Sequence, residues 1–159
     1  MNGLTYRLAA KGDGPLIADF FLKNVDESYV TASEVIWGRA SADGRWNDNL
    51  FELVSEEIEL SVASKDKIAI LFFVDDNLAG YTLSAIKQFN SAEVEDFVLD
   101  KSLRGLGLGR QINDLTSEHL KNLGCKALFM EVGKSNSRMH SFVTSDGMLP
   151  TSIRYWKYL

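Results

Sequence analysis

A glycine-rich segment in the second half of the chain constrains the fold more than any other feature. Glycines stand at positions 105, 107 and 109, directly after a segment that predicts a strand and directly before one that predicts a helix. Residues without a Cβ let backbone N–H groups close on an anion, and the helix adds its unsatisfied N–H groups and dipole. Arg104 and Arg110 flank the glycines. Residues 104–110, the glycine loop, therefore predict a phosphate-binding site, the alternative being a tight turn without a ligand.

The spacing of these glycines excludes two common phosphate-binding motifs. A dinucleotide fingerprint reads G-x-G-x-x-G and follows the first strand of its domain, whereas these glycines read G-x-G-x-G and come late in the chain. No segment matches the complete Walker pattern G-x-x-x-x-G-K-[ST]. The remaining pattern, R-x-x-G-x-G over residues 104–109, resembles the GNAT superfamily of acyl-CoA-dependent N-acyltransferases. The resemblance implies that the loop holds the pyrophosphate of coenzyme A and that acetyl-CoA is the acyl donor.

The same resemblance assigns further residues to the cofactor. The end of the strand before the loop would lie along the pantetheine arm, with a backbone N–H meeting the thioester oxygen. A second family block matches Asn136, Phe142, Gly147 and Met148. Asn136 either caps a helix only or also contacts the cofactor. The implied cofactor-binding residues are Phe97, Val98, Leu99, Arg104, Gly105, Leu106, Gly107, Leu108, Gly109, Arg110 and Asn136.

Two adjacent carboxylates are the candidates for the general base. The string Glu-Asp-Phe at 95–97 is similar to the spermidine/spermine N-acetyltransferase branch, in which these acids handle the substrate amine. A carboxylate near the cofactor accepts a proton from the incoming ammonium, so Glu95 is the first candidate, Asp96 the second and Glu131 an outside one. Alternation along a strand predicts that Glu95 shares a face with Glu93 and that Asp96 points to the other. Charged residues on an exposed sheet face without any catalytic role fit the pattern equally well.

The usual general acid of the family is missing. The position after Phe142, where the family usually has a tyrosine that protonates the departing thiolate, is Val143. A thiol with a pKa of about 8.5 is a tolerable leaving group without help. Alternatively, another residue substitutes, with His140, Ser141 and Tyr155 as candidates. A third possibility is that the protein binds acyl-CoA without turnover.

Length and composition narrow the class of protein. A chain of 159 residues predicts one domain, residues 1–159. The formal net charge of −5 argues against general nucleic-acid binding. The single cysteine, Cys125, excludes a disulfide framework, and no metal-binding motif is present. The absence of a long apolar run argues against a membrane span. We therefore expect a cytosolic protein.

The hydrophobic pattern predicts a GNAT-like α/β fold. We expect a mixed, mostly antiparallel central sheet of six to seven strands, flanked by about four helices. The predicted helices cover about 15–25, 47–63, 108–123 and 137–145. The predicted strands cover 6–9, 68–74, 79–86, 93–99, 127–132 and 153–159. The last of these is rich in aromatic residues and either completes its own sheet or pairs across a homodimer.

The sequence thus predicts an enzyme that transfers an acetyl group to a primary amine of a small molecule. The amine would attack the thioester directly in a ternary complex, because Cys125 lies outside both family blocks. A non-catalytic acyl-CoA-binding regulatory module is the first alternative, motivated by Val143. A protein N-terminus or lysine acetyltransferase is the second.

Overall fold

The computed structural model describes residues 3–159, which contain one five-stranded β-sheet. The strands are β1 Thr5–Leu8, β2 Lys67–Val74, β3 Asn77–Lys87, β4 Ser91–Leu99 and β5 Ala127–Met130. The α-helices are α1 Gly14–Asn24, α2 Ala32–Ile36, α3 Leu50–Ala63, α4 Leu108–Asn122 and α5 Ser137–Ser145. Short 3-10 turns cover Glu27–Tyr29 and Lys101–Leu103. The α/β class is confirmed, but residues 3–159 form five strands and five α-helices, not six to seven strands and about four helices.

The sheet is mixed, as expected. Its order is β1-β2-β3-β4-β5; the first three pairings are antiparallel, and β4 pairs with β5 in parallel. The parallel pair is joined through α4, because parallel neighbours require a crossover connection. The connection between β4 and α4 contains the glycine loop, so the topology places that loop at the end of a central strand.

Helices cover both faces of this sheet. The amphipathic α4 buries Ile112 and Leu120 against Ile70, Phe72 and Val94. The α1 helix covers the opposite face, where Phe20 meets Tyr81 edge to face with ring centroids 6.3 Å apart. The α3 helix contacts the same face, because its Glu57 forms an ion pair with Lys67 of β2. Burial on both faces explains why β2 carries a nearly continuous apolar sequence.

The chain groups into two compact units. Unit 1 contains residues 1–24 and 51–130, with the sheet, α1, α4 and nearly all of α3. Unit 2 contains residues 25–50 and 131–159, with α2 and α5. In unit 2 the chain after β5 passes so close to the first 3-10 turn that a Cβ on Gly133 would lie 2.1 Å from the Ser28 carbonyl oxygen. Glycine is required there by space.

The prediction of a strand at 153–159 is wrong. In the described part of the chain, residues 148–159 adopt neither strand nor helix. Ile153, Tyr155 and Tyr158 are largely exposed. A strand requires hydrogen-bonding partners as well as β-branched and aromatic residues, and the sequence shows only the residues.

The structure contains no helix in residues 3–159 with the length and apolar character of a membrane span.

Candidate functional site

A β-bulge in β4 lies at the centre of the candidate site. Leu83 of β3 pairs with Asp96, but the next residue, Ser84, pairs with Val94, so Glu95 is an extra residue in β4. A bulge breaks the alternation of side chains and re-aims them. Glu93 and Asp96 consequently share one face, which corrects the prediction from strict alternation that they lie on opposite faces.

The pairing between β4 and β5 ends at the bulge. The two strands pair from Ser91 to Val94 on β4, and the pairing ends opposite Met130. Glu95 has a buried side chain, only 3 % exposed, yet the residue as a whole is partly exposed. The exposed part of Glu95 is therefore mainly backbone. An exposed strand edge of this kind offers N–H and C=O groups to an extended ligand.

Both predicted catalytic carboxylates have fixed partners in unit 1. Glu95 Oε2 lies 2.7 Å from Lys67 Nζ, and Glu95 Oε1 lies 3.6 Å from Lys87 Nζ. Asp96 is 4 % exposed and accepts a hydrogen bond of 2.9 Å from the Tyr81 hydroxyl. The two acids thus differ in environment, since Glu95 faces ammonium groups and Asp96 faces a neutral donor.

The pKa of Lys67, next to the bulge, is shifted from its usual value. Burial on its own lowers the pKa of Lys67, but hydrogen bonds to Glu95 and Glu57 outweigh burial and raise the pKa above its usual value. Lys67 therefore stays protonated at neutral pH and forms ion pairs with both neighbouring carboxylates.

The glycine loop presents backbone to the surface. Gly105 and Gly107 are exposed and left-handed, with φ of 80° and 81°. Gly107 is the N-cap of α4 and has no side chain with which to cap it. The first N–H groups of α4 are thereby left for an external acceptor, which is the arrangement that binds phosphate. Leu106 is 55 % exposed, Leu108 is buried beneath the loop, and Arg110 is exposed on the first turn of α4.

Arg104 anchors the loop instead of projecting from it. Its Nε and Nη2 donate to the Leu99 carbonyl at 3.2 and 3.1 Å, and Nη2 also donates to the Asn24 carbonyl at 2.5 Å. The Asn24 side chain, 5 % exposed, accepts a 2.9 Å hydrogen bond from the backbone N–H of Lys101. Hence the end of α1 and the end of β4 hold both sides of the loop.

The remaining predicted residues belong to unit 2. Asn136 is buried and accepts from the Met139 N–H at 3.0 Å, so it caps α5, as both alternatives for this residue require. Glu131 accepts a 3.2 Å hydrogen bond from the Ser33 N–H and pairs with Arg154, which gives it a structural role at the start of α2. Val143 lies on α5.

The structure thus brings together, in unit 1, Glu95, Asp96, the end of β4 and the glycine loop. Of the β4 residues assigned to the cofactor, Val98 is buried beneath α1, while Phe97 and Leu99 pack toward α4. Sequence reasoning missed Lys67, Lys87, Tyr81 and Asn24. Lys67 and Asn24 contact the site through partners distant in sequence, and the contacts of Lys87 and Tyr81 depend on the pairing of β3 with β4, so no local signal identifies them.

Comparison with known proteins assigns the class. Residues 28–148 match the sequence model described as the acetyltransferase (GNAT) family. Because that match covers more than half of the chain, the protein belongs to the GNAT acetyltransferase family. It is an acyltransferase, and acetyl-CoA is its acyl donor. No curated protein matches the chain by sequence.

Solved structures share the fold at low identity. An aminoglycoside acetyltransferase from an uncultured soil metagenomic sample, in complex with sisomicin, aligns with a TM-score of 0.69 at 14 % identity, over 99 % of this chain and 97 % of that one. The PaiA N-acetyltransferase of Thermoplasma acidophilum, in complex with coenzyme A, aligns with a TM-score of 0.69 at 18 % identity, over 91 % of this chain and 88 % of that one. The aminoglycoside N-acetyltransferase AAC(6')-Iy, in complex with a bisubstrate analogue, aligns with a TM-score of 0.68 at 13 % identity, over 99 % of this chain and 100 % of that one.

The described residues fit coenzyme A. The exposed amides of the glycine loop suit a pyrophosphate, and the exposed backbone of the bulge suits an extended amide-containing arm.

Proposed function

We propose that the protein acetylates a primary amine of a small molecule by direct attack in a ternary complex. The observation that carries the proposal is the bulge at Glu95, which places two carboxylates beside exposed backbone on β4. The chain thereby offers, in one unit, an N–H donor for a carbonyl oxygen and a proton acceptor for an amine. Acetyl-CoA supplies an activated acyl group.

The cofactor residues keep the roles that the family resemblance implies. We propose that the amides of Gly105, Gly107, Leu108 and Gly109 hold the pyrophosphate and that Arg110 adds charge. Phe97, Val98 and Leu99 offer backbone to the pantetheine arm. Arg104 contributes by fixing the loop through the Leu99 and Asn24 carbonyls. Asn136 fixes the start of α5.

Glu95 is the proposed base and Asp96 the alternative. Two ammonium groups, those of Lys67 and Lys87, lie beside the Glu95 carboxylate and orient it. With valine at position 143, coenzyme A leaves as a thiolate without a tyrosine donor.

Two independent similarities to other acetyltransferases support a cationic amine as the acceptor. Two of the structural neighbours are aminoglycoside acetyltransferases, and the Glu-Asp-Phe string resembles the spermidine/spermine branch. Both groups act on amines that are cationic at neutral pH. We therefore propose a small cationic amine as acceptor. A cytosolic location, a single domain over residues 1–159 and a homodimer remain predictions.

The test combines binding, turnover and pH dependence. Acetyl-CoA is titrated calorimetrically, and thiol release is then measured over a panel of polyamines, aminoglycosides and peptide amines. With the best acceptor, Glu95→Gln should lower kcat by about 10²–10⁴-fold and remove the acidic limb of the pH–rate profile. Asp96→Asn should have the smaller effect.

Glu93→Gln is the matched control, because Glu93 is a third carboxylate on the same face and pairs with Lys87 at 3.1 Å. A profile unchanged in Glu95→Gln but altered in Asp96→Asn would transfer the role of base to Asp96. Thiol release that never depends on an acceptor would refute small-molecule acetylation itself.

A further inference from the structure

Five charged side chains alternate in sign across the sheet face that carries the bulge. Glu57 of α3, Lys67 of β2, Glu95 of β4, Lys87 of β3 and Glu93 of β4 form this charge row. The Nζ of Lys67 lies 2.9 Å from Glu57 and 2.7 Å from Glu95. The Nζ of Lys87 lies 3.6 Å from Glu95 and 3.1 Å from Glu93. Thus the bulge carboxylate occupies the middle of the row.

The two lysines contribute unequally to the hold on Glu95. The Lys67 side chain is 29 % exposed and makes a short hydrogen bond to Glu95, whereas that of Lys87 is 39 % exposed and forms only a loose ion pair with it. Lys67 is also tied at its other side to α3 through Glu57. Because the Lys67 ammonium is partly buried, solvent screens its attraction for Glu95 less, and Lys67 therefore restrains the Glu95 carboxylate more than Lys87 does.

The charge row also explains why the Glu95 side chain, which belongs to the bulge, is buried. An extra residue in a strand has no cross-strand partner to fix it. Its side chain would point to solvent if nothing inside received the charge, since burying an unpaired carboxylate is costly. Lys67 supplies that partner, and the buried side chain in turn leaves the Glu95 backbone at the surface.

We propose that Lys67 is a positioning residue of the acetyl-transfer site, which fixes the Glu95 carboxylate and, through it, the exposed backbone of the β4 bulge. The inference rests on the proposed function for its kinetic consequences but not for its structural ones. Neighbouring titratable groups are the other members of the row and Asp96, which is bonded to Tyr81.

The test compares Lys67→Met with Lys67→Arg and with Lys87→Met. Lys67→Met should lower kcat by about 10–100-fold, because misplaced reacting groups cost that much, while the KM for the acceptor changes less than about threefold. Lys67→Arg should restore most of the rate. Lys87→Met should lower the rate less than Lys67→Met does, because Lys87 lies farther from Glu95 than Lys67.

A structural readout separates this inference from the proposed function. Hydrogen exchange of the backbone amides at positions 95–97 should accelerate in Lys67→Met and stay at the wild-type rate in Lys67→Arg. This comparison needs no turnover, so it holds even if no amine is acetylated. Should Lys67→Met fail to fold, Glu57→Gln keeps the lysine but weakens its anchor on α3, and it should accelerate the exchange of the same amides. Exchange at the wild-type rate in the folded variants would overturn the proposal.

Discussion

Two glycines at opposite ends of α4 allow the effect of a substitution on backbone strain to be distinguished from its effect on ligand binding. Gly107 precedes the helix with φ of 81°, and Gly124 follows it with φ of 91°. Neither position has an atom within 4 Å of an added Cβ. Substitution therefore meets backbone strain at both positions but steric overlap at neither, until a ligand closes on Gly107.

We predict that Gly107→Ala and Gly124→Ala lose similar stability, about 1–2 kcal/mol, because an L-residue is strained in the left-handed region. Only Gly107→Ala should also weaken acetyl-CoA binding, by tenfold or more, because its Cβ would stand over the exposed amides. Thermal unfolding and calorimetric titration of both variants measure the two effects. Equal losses of affinity would mean that the glycine loop is not where the pyrophosphate binds.

At the level of single residues, the sequence identified the glycine loop but not the residues that hold the site in place. Three alternating glycines between two arginines form a local pattern, and local patterns can be read directly. Lys67 reaches Glu95 across 28 positions, and Asn24 reaches Lys101 across 77. Such contacts depend on strand pairing and helix packing, which a single sequence does not show.

Among the elements, α1 and the glycine loop are joined through one buried amide. The Asn24 side chain donates to the Phe20 carbonyl at 2.9 Å and accepts from the Lys101 N–H. We predict that Asn24→Ala destabilises the fold by about 1–3 kcal/mol, because it leaves a buried backbone N–H unsatisfied. It should also weaken acetyl-CoA binding severalfold by loosening residues 101–107.

Hydrogen exchange of residues 101–107 and calorimetric titration check this prediction. Asn24→Asp is the matched variant, because it keeps an acceptor for the Lys101 N–H and should preserve more of the protection than alanine does. Unchanged exchange and affinity in Asn24→Ala would show that Arg104 holds the loop alone.

Element boundaries from the sequence agree well where periodicity is strong. The predicted helix 137–145 coincides with α5, and the strand at 68–74 differs from β2 by one residue. The bulge in β4 escaped prediction, because a strand with one extra residue has the same composition as a regular one. The consequence was a wrong assignment of faces for Glu93 and Asp96.

For the molecule as a whole, one ion pair near the start of α1 makes stability depend on pH. Arg7 binds Asp13 through two hydrogen bonds of 2.6 and 2.9 Å. The hydrogen bond from Arg7 lowers the pKa of Asp13 most, and the Ala10 N–H lowers it further, although burial acts to raise it. A lowered pKa means that the folded state favours the ionised carboxyl, so this stabilisation is present at neutral pH and lost on acidification.

We predict that Asp13→Asn lowers Tm at pH 7 by about 1–4 °C. The difference from wild type should shrink as pH falls below about 4 and through the lowered pKa of Asp13. Thermal unfolding between pH 7 and pH 2.5 measures it. Asp19→Asn, which removes the more exposed Asp19–Lys23 pair from the same helix, is the control and should change Tm less. A constant difference at every pH would exclude the ion pair as its source.

The class of fold followed from the order of elements, whereas the number of strands did not. Residues 153–159 have the composition of a strand but are not paired within residues 3–159. Pairing is a property of two segments, so composition alone overcounted the strands.

The bulge in β4 also affects how this chain compares with its relatives. A relative with a regular strand here has one residue fewer between the positions equivalent to Val94 and Asp96. A correct alignment must then open a gap inside a central strand, where gaps are normally penalised most heavily. Without that gap, every residue on one side of Glu95 is matched to a neighbour facing the opposite side of the sheet. Transfer of catalytic carboxylates between such sequences is therefore safe only when the strand pairing of both proteins has been compared.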